Sequence, residues 1–186
     1  MKRNKKYRIN EIFYSVQGEG RNTGRPFIFV RFSGCNRKCR WCDTEHGRFS
    51  EMTLDEIEKE VARYKCRSLL FTGGEPALQL DEEILNRFRR YYVAVETNGT
   101  KSLAPLEDLI NWITVSPKSA SFRQKKGSEI KIVYEGQDLT KYDTAGFRHK
   151  MLQPVFGETE KQTIDYVMEH TTWRLSVQTH KYLKIS

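Results

Sequence analysis

The chain has 186 residues, a formal net charge of +8 and 38 % hydrophobic residues. Such a composition excludes collagenous, mucin-like and wholly disordered chains, and a single domain of this length buries about 70 % of its unfolded surface without disulfide staples. The longest apolar run, Tyr91 to Val95, is far short of the ~20 residues that span a bilayer, and no apolar signal core follows the basic start. A cytoplasmic location with no membrane partner is expected.

Lys2, Arg3, Lys5, Lys6 and Arg8 place a block of positive charge in the first eight residues, with no acid among them. Residues 1–8 read as a frayed, solvated tail, and nucleic acid is not expected as a partner. No repeat or low-complexity linker follows, so 1–186 reads as one domain.

Short β-rich runs ending in turn residues read as strands. Phe27-Ile28-Phe29-Val30 leads through Arg31-Phe32 to Ser33-Gly34-Cys35. Leu69-Leu70-Phe71 leads to Thr72-Gly73-Gly74-Glu75, Val93-Ala94-Val95 to Glu96-Thr97-Asn98-Gly99, and Ile113-Thr114-Val115 to Ser116-Pro117-Lys118. Ile130-Lys131-Ile132-Val133, Met151-Leu152-Gln153-Pro154 and Leu175-Ser176-Val177-Gln178 complete the series.

Helical patterns alternate with these runs. Thr53 and Glu56 form a capping box ahead of Leu54, Ile57, Val61 and Tyr64. Asp81-Glu82-Glu83 opens a second helix with acids, and Arg87, Arg89 and Arg90 close it with bases. Pro105 begins a short third through Leu109, Ile110 and Trp112. Thr159 and Gln162 cap a fourth, with Ile164, Val167 and Met168 as its apolar stripe.

Alternating strands and helices imply a mostly parallel α/β sheet. A closed eight-unit barrel of about 250 residues spends about 31 per unit, more than this chain supplies. The expected fold is an incomplete, partly open (β/α) barrel of about six parallel core strands with three or four helices. In such folds ligands bind at the carboxyl ends of the strands, where Cys35, Thr72, Glu96, Ser116, Gln153 and Gln178 fall.

Cys35, Cys39 and Cys42 form C-x₃-C-x₂-C within eight residues, directly after a strand. Three thiolates in one short loop can converge on a metal centre. A cubane iron–sulfur cluster usually takes four cysteines, so three would leave one iron open to an exogenous ligand. The same spacing permits a Cys₃His zinc site with His46, a dithiol pair at Cys39 and Cys42, or buried thiols. Cys66 precedes the strand at Leu69 and reads as a small buried hydrophobe away from the loop.

The cysteine loop resembles that of the radical S-adenosylmethionine superfamily, and Thr72-Gly73-Gly74-Glu75-Pro76 looks like its glycine-rich turn. Further stretches resemble one family within it, the 7-carboxy-7-deazaguanine synthases. These are Glu11 through Val16 and Gln17-Gly18-Glu19-Gly20, Phe29 through Cys35, Cys42-Asp43-Thr44, Glu96-Thr97-Asn98-Gly99, Ser116-Pro117-Lys118, Gln153-Pro154 and Leu175 through Gln178-Thr179-His180 to Leu183.

The resemblance implies conversion of 6-carboxy-5,6,7,8-tetrahydropterin to 7-carboxy-7-deazaguanine and ammonia by ring contraction, on the route to queuosine-type nucleosides. It implies a [4Fe-4S] cluster on Cys35, Cys39 and Cys42, S-adenosyl-L-methionine, and Mg²⁺ on Thr44. It further implies substrate contacts from Val16, Gln17, Gly18, Arg31, Thr72, His180 and the terminal carboxylate of Ser186. Contacts to S-adenosylmethionine would come from Trp41, Gly74, Glu75, Ser116, Pro117, Lys118, Gln153 and Pro154. A flavodoxin-like or ferredoxin-like electron donor and a homodimer complete the expectation. The alternatives are a glycyl-radical activating enzyme, which lacks the opening and closing motifs, and a zinc-stabilised RNA-binding module.

Overall fold

The computed structural model describes residues 5–45 and 47–185, which cluster into two compact units. His46 and Ser186 lie outside the described residues, as do Lys2 and Arg3. Among the described residues no helix is long and apolar enough to cross a membrane.

The first unit comprises 5–15, 26–96 and 103–111. Strand β1 (Lys6–Val16) is followed by β2 (Pro26–Phe32), and β3 (Ser50–Thr53) pairs antiparallel with β1. Beyond β2 come β4 (Ser68–Gly73) and β5 (Tyr92–Thr97), in the order β2-β4-β5 and all parallel. Residues 5–8 are therefore not frayed. Lys6, Tyr7 and Arg8 pair with Thr53, Met52 and Glu51, and Tyr7 and Ile9 alternate into the core. The charged side chains of Lys6 and Arg8 mask the period-two signal that Tyr7 and Ile9 carry.

The core of this unit is an aromatic file. Ring centroids run from Tyr7 to Phe32 at 6.4 Å, Phe32 to Phe71 at 5.9 Å and Phe71 to Phe88 at 6.1 Å. Helix α1 (Leu54–Val61) buries Leu54, Ile57 and Val61, and its Thr53–Glu56 capping box forms as expected. Helix α2 (Glu82–Arg87) is capped by Asp81, whose carboxylate accepts from the Ile84 N–H at 3.1 Å. The run opened by Pro105 forms only a 3₁₀ segment, Ala104–Leu109. Cys66 is half-buried rather than buried, and its thiol donates to the Pro26 and Ser68 carbonyls.

The second unit comprises 16–25, 97–102 and 112–185. Strands β6 (Trp112–Val115), β7 (Lys126–Tyr134), β8 (Gly146–Pro154) and β9 (Arg174–Leu175) lie parallel in that order. In both units each parallel strand is laid beside its predecessor. No strand order reverses, so the pattern is that of a (β/α) barrel rather than a doubly wound sheet.

Helix α3 (Glu160–Glu169) departs from its expected face. Ile164 is 45 % and Met168 76 % exposed, and the buried residue is Thr163. The Thr159 hydroxyl does not cap the helix; it donates to the Tyr134 carbonyl at 2.8 Å and accepts from the Val155 N–H at 2.8 Å. Those bonds fix the entry of the helix, and Tyr166 packs on Tyr134 at 5.0 Å. A short α4 (Thr179–Leu183), not anticipated from the sequence, follows Gln178.

Candidate functional site

In the first unit the candidate residues gather at the carboxyl ends of β2 and β4. The cysteine loop leaves β2 through Ser33 and Gly34, the latter at φ +89°. Cys35 and Cys39 are half-buried and Cys42 is exposed, and none of the four cysteines is in a disulfide. The loop folds on itself: the Cys42 N–H donates to the Cys39 carbonyl at 3.3 Å, and the Arg37 N–H to Cys35 Sγ at 3.4 Å.

The glycine-rich turn is pressed against that loop. The Gly74 N–H donates to the Phe32 carbonyl at 3.0 Å, and the Glu75 N–H to the Gly34 carbonyl at 2.9 Å. A Cβ on Gly73, which sits at φ +123°, would lie 2.1 Å from the Phe32 carbonyl oxygen. Two glycines are required because backbone meets backbone. Gln79 ties the same root: its amide donates to the Ser33 carbonyl at 2.8 Å and its carbonyl accepts from the Arg8 N–H at 2.8 Å. Glu75 is wholly buried, and its carboxylate accepts from the Ala77 N–H at 3.0 Å. In that position it caps the turn.

Arg31, at the end of β2, donates from Nη1 to Thr44 Oγ1 at 3.1 Å. Its Nε lies 2.7 Å from Glu11 Oε1, but no acceptor is aligned with that N–H. The guanidinium sits 5.5 Å from the Phe13 ring centroid, and Phe13 stacks on Phe29 at 4.8 Å. Arg31 is thus a fixed cation beside the exit of the cysteine loop. Thr44, Trp41 and Thr72 are half-buried in the same unit. Among the described residues no three His, Cys, Asp or Glu side chains converge on a single metal ion.

In the second unit the opening loop and the closing segment meet. The Gly18 carbonyl accepts from Thr179 twice, from the N–H at 2.9 Å and from Oγ1 at 3.0 Å. A Cβ on Gly18 would lie 2.2 Å from His180 Nδ1, so glycine is what lets the imidazole approach. Gln17 is buried, its N–H donates to the Arg25 carbonyl at 2.8 Å, and its side-chain carbonyl accepts from the Glu19 N–H at 3.2 Å. Val16 is 37 % exposed.

The loop is anchored by an inward polar row on β7. Glu129 Oε2 accepts from the Arg21 N–H at 2.7 Å. Lys131 is buried and ion-paired with Glu19, whose other oxygen accepts from Gln178 Nε2 at 2.7 Å. Burial alone would raise the Glu19 pKa, but the Lys131 ammonium and the Lys131 and Gln178 hydrogen bonds hold it well below the usual carboxylate range. The Gly20 N–H donates to Ser176 Oγ at 2.9 Å, and that hydroxyl donates to Gln153 Oε1 at 3.0 Å. Ser116 accepts from Lys118 Nζ at 3.0 Å, while Pro117 and Pro154 are buried.

The structure thus brings Arg31, Cys35, Trp41, Cys39, Cys42, Thr44, Thr72 and Gly74 into one unit. It brings Val16, Gln17, Gly18, Ser116, Lys118, Gln153 and His180 into the other. Sequence reasoning missed Gln79, Glu129, Lys131 and Ser176. The alternation Glu129-Ile130-Lys131-Ile132 carries a signal for two of them, because period two sends both charges to one face of the strand.

The model of the radical SAM superfamily matches residues 29–136. The 7-carboxy-7-deazaguanine synthase of Bacteroides thetaiotaomicron is 47 % identical over 181 residues, covering 96 % of this chain and 98 % of its own length. The enzyme of that name from Burkholderia multivorans is 37 % identical, covering 96 % and 99 %. In fold, the chain is similar to the crystal structure of QueE from Escherichia coli, with a TM-score of 0.71 and 24 % identity over 92 % of this chain and 93 % of that one. The fold class is the incomplete, partly open (β/α) barrel expected from the strand pattern.

Proposed function

We propose, for a chain that belongs to the 7-carboxy-7-deazaguanine synthase family of the radical S-adenosylmethionine superfamily, that it converts 6-carboxy-5,6,7,8-tetrahydropterin to 7-carboxy-7-deazaguanine and ammonia, in queuosine-type deazapurine biosynthesis. The observation that carries this reading is the docking of Thr179 and His180 on Gly18. The two stretches most specific to the family, 161 positions apart, meet at that contact.

Three thiols on one short loop, two of them half-buried, suit a [4Fe-4S] cluster held by Cys35, Cys39 and Cys42. Trp41, Gly74, Glu75, Ser116, Pro117, Lys118, Gln153 and Pro154 are the proposed contacts to S-adenosylmethionine. When bound, cluster and cofactor supply the one-electron chemistry that starts the ring contraction.

The residues of the chain bind and orient. Arg31 pairs with the pterin carboxylate, a planar fork meeting a planar anion. The Gln17 amide, the His180 ring and the Thr72 hydroxyl read the ring edges, since each offers both donor and acceptor capacity. Thr44 would hold Mg²⁺ through its hydroxyl oxygen, and the ion would supply a hard positive charge for substrate oxygens. The terminal carboxylate of Ser186 is proposed as a further substrate ligand. Loss of ammonia accounts for the departing ring nitrogen, so the reaction consumes no net oxidant.

A flavodoxin-like or ferredoxin-like protein is the proposed electron donor. A second copy of the chain is the proposed structural partner, supported by the exposure of Ile164 and Met168 on α3. The proposed setting is the cytoplasm, and the proposed organisation is one catalytic domain over 1–186.

The test is anaerobic reconstitution with iron and sulfide, followed by S-adenosylmethionine, Mg²⁺, reductant and carboxytetrahydropterin, with the product identified by mass. A deazaguanine acid of the expected mass supports the reading. Cleavage of S-adenosylmethionine with the pterin returned unchanged refutes it.

A further inference from the structure

The opening loop and the closing segment are joined by more than the Gly18–Thr179 contact. Glu19 sits at a junction: one carboxylate oxygen takes Lys131 from β7, and the other takes the Gln178 amide at 2.7 Å from the residue that leads into α4. Lys131 is 3 % exposed and Gln178 9 %. Two residues away on the same face of β7, Glu129 takes the Arg21 N–H, and Gly20 at φ +65° leaves the space that Glu129 fills, since a Cβ there would lie 2.2 Å from Glu129 Oε1. Both charges of the β7 row thus hold residues 19–21.

A buried ion pair is weak evidence for stability, because desolvating both ions consumes most of the attraction, but it is strong evidence for registry. Here the registry it specifies is that of Gln17-Gly18 against Thr179-His180. Glu19 is one residue from Gly18, and Gln178 is adjacent to Thr179.

We propose that Lys131, Glu19 and Gln178 are positioning residues that lock the opening loop to the closing segment and so set the affinity for the pterin, without touching it. This rests on the reading of Gln17, Gly18 and His180 as substrate contacts. The pair works as a fixed strut, with Lys131 holding the Glu19 carboxylate ionised and the carboxylate holding the Gln178 amide. Loosening it lets His180 drift from Gly18, and the cost falls on substrate binding rather than on later steps.

The experiment compares Gln178→Ala and the double variant Glu19→Gln/Lys131→Met with the parent holoenzyme. The double variant removes both charges together, so neither is left buried alone. We expect KM for carboxytetrahydropterin to rise about 10-fold or more with kcat held within about threefold, the pattern of lost binding that is uniform between ground and transition states. We also expect amide hydrogen exchange to quicken in 16–20 and 179–185 together, in both variants. Parent-like KM, or faster exchange in only one of the two segments, overturns the proposal. Exchange is read without substrate, so absence of product from the parent enzyme would count against the pterin reading while the coupling of the two segments is decided separately.

Discussion

Gly74 and Gly34 touch backbone to backbone: a Cβ on Gly74 would lie 2.1 Å from the Gly34 carbonyl oxygen and 3.0 Å from the Cys35 nitrogen. The glycine-rich turn is thus the backstop of the cysteine loop. Gly74→Ala must push the loop outward, an overpacking that costs about 1–3 kcal/mol. We expect a lower Tm and fewer iron and sulfide atoms per chain after reconstitution. Full loading with an unchanged Tm would show that the loop is held by other means.

Arg31 is placed by Thr44, Glu11 and the Phe13 ring, and a compact ammonium lacks the planar fork that spans all three while leaving donors for a carboxylate. Arg31→Lys should therefore behave as a loss rather than a conservative change. Charge-assisted hydrogen bonds are worth about 1.5–3 kcal/mol, so KM for the pterin should rise roughly 10- to 100-fold. Cleavage of S-adenosylmethionine measured without the pterin should stay close to the parent rate.

Thr44 offers its hydroxyl oxygen while accepting from Arg31. Thr44→Val keeps the shape and removes the oxygen. We expect turnover that no longer responds to added Mg²⁺ or to its removal by chelation, whereas Thr44→Ser keeps the response. A Thr44→Val enzyme as Mg²⁺-dependent as the parent would move the cation elsewhere.

Asp81 serves two purposes, capping α2 through the Ile84 N–H and accepting from Lys5 and the Tyr7 hydroxyl. Asp81→Ala should cost about 1–2 kcal/mol, the usual value of an N-cap. Burial pushes the Asp81 pKa up, but the Lys5, Ile84 and Tyr7 hydrogen bonds outweigh it and the pKa is lowered from 3.8. A carboxylate with a depressed folded pKa stabilises the fold above its unfolded value, and that stabilisation disappears as pH falls through the folded value. Denaturant unfolding below pH 4 should therefore show a smaller penalty for Asp81→Asn than at pH 7.

The parallel core was legible because each strand of it is a short β-branched or aromatic run ending in a turn, and both its alternation with helices and its length bounded the architecture. What escaped was masked by charge. β1 hides Tyr7 and Ile9 between Lys6, Arg8 and Asn10, and β3 is the polar run Ser50–Thr53 that pairs with it. Neither carries enough apolar signal to stand apart from a tail or a loop.

The proposed ligand contacts were legible from strand ends, cysteine spacing and the family pattern; the residues that anchor the opening loop were not. Lys131 and Glu129 read as solvent-facing charges in an otherwise apolar strand, and only the arrival of 19–21 from a distant part of the chain turns that face into an interior. The fourth helix shows the same limit. Its apolar positions, Ile164 and Met168, point away from the sheet because two hydrogen bonds of Thr159 set its rotation, a constraint no periodicity records.

The meeting of Gly18 with Thr179 also has a consequence for synthesis. A ribosome makes residue 18 early and residue 179 late, and contacts of such separation are slow to close. Until translation has passed the closing segment, Gly18 lacks its Thr179 partner, although β7 can already hold residues 19–21. Premature termination before Thr179 would then yield polypeptide that could mature its iron centre yet never grip a pterin, leaving prematurely terminated products catalytically silent.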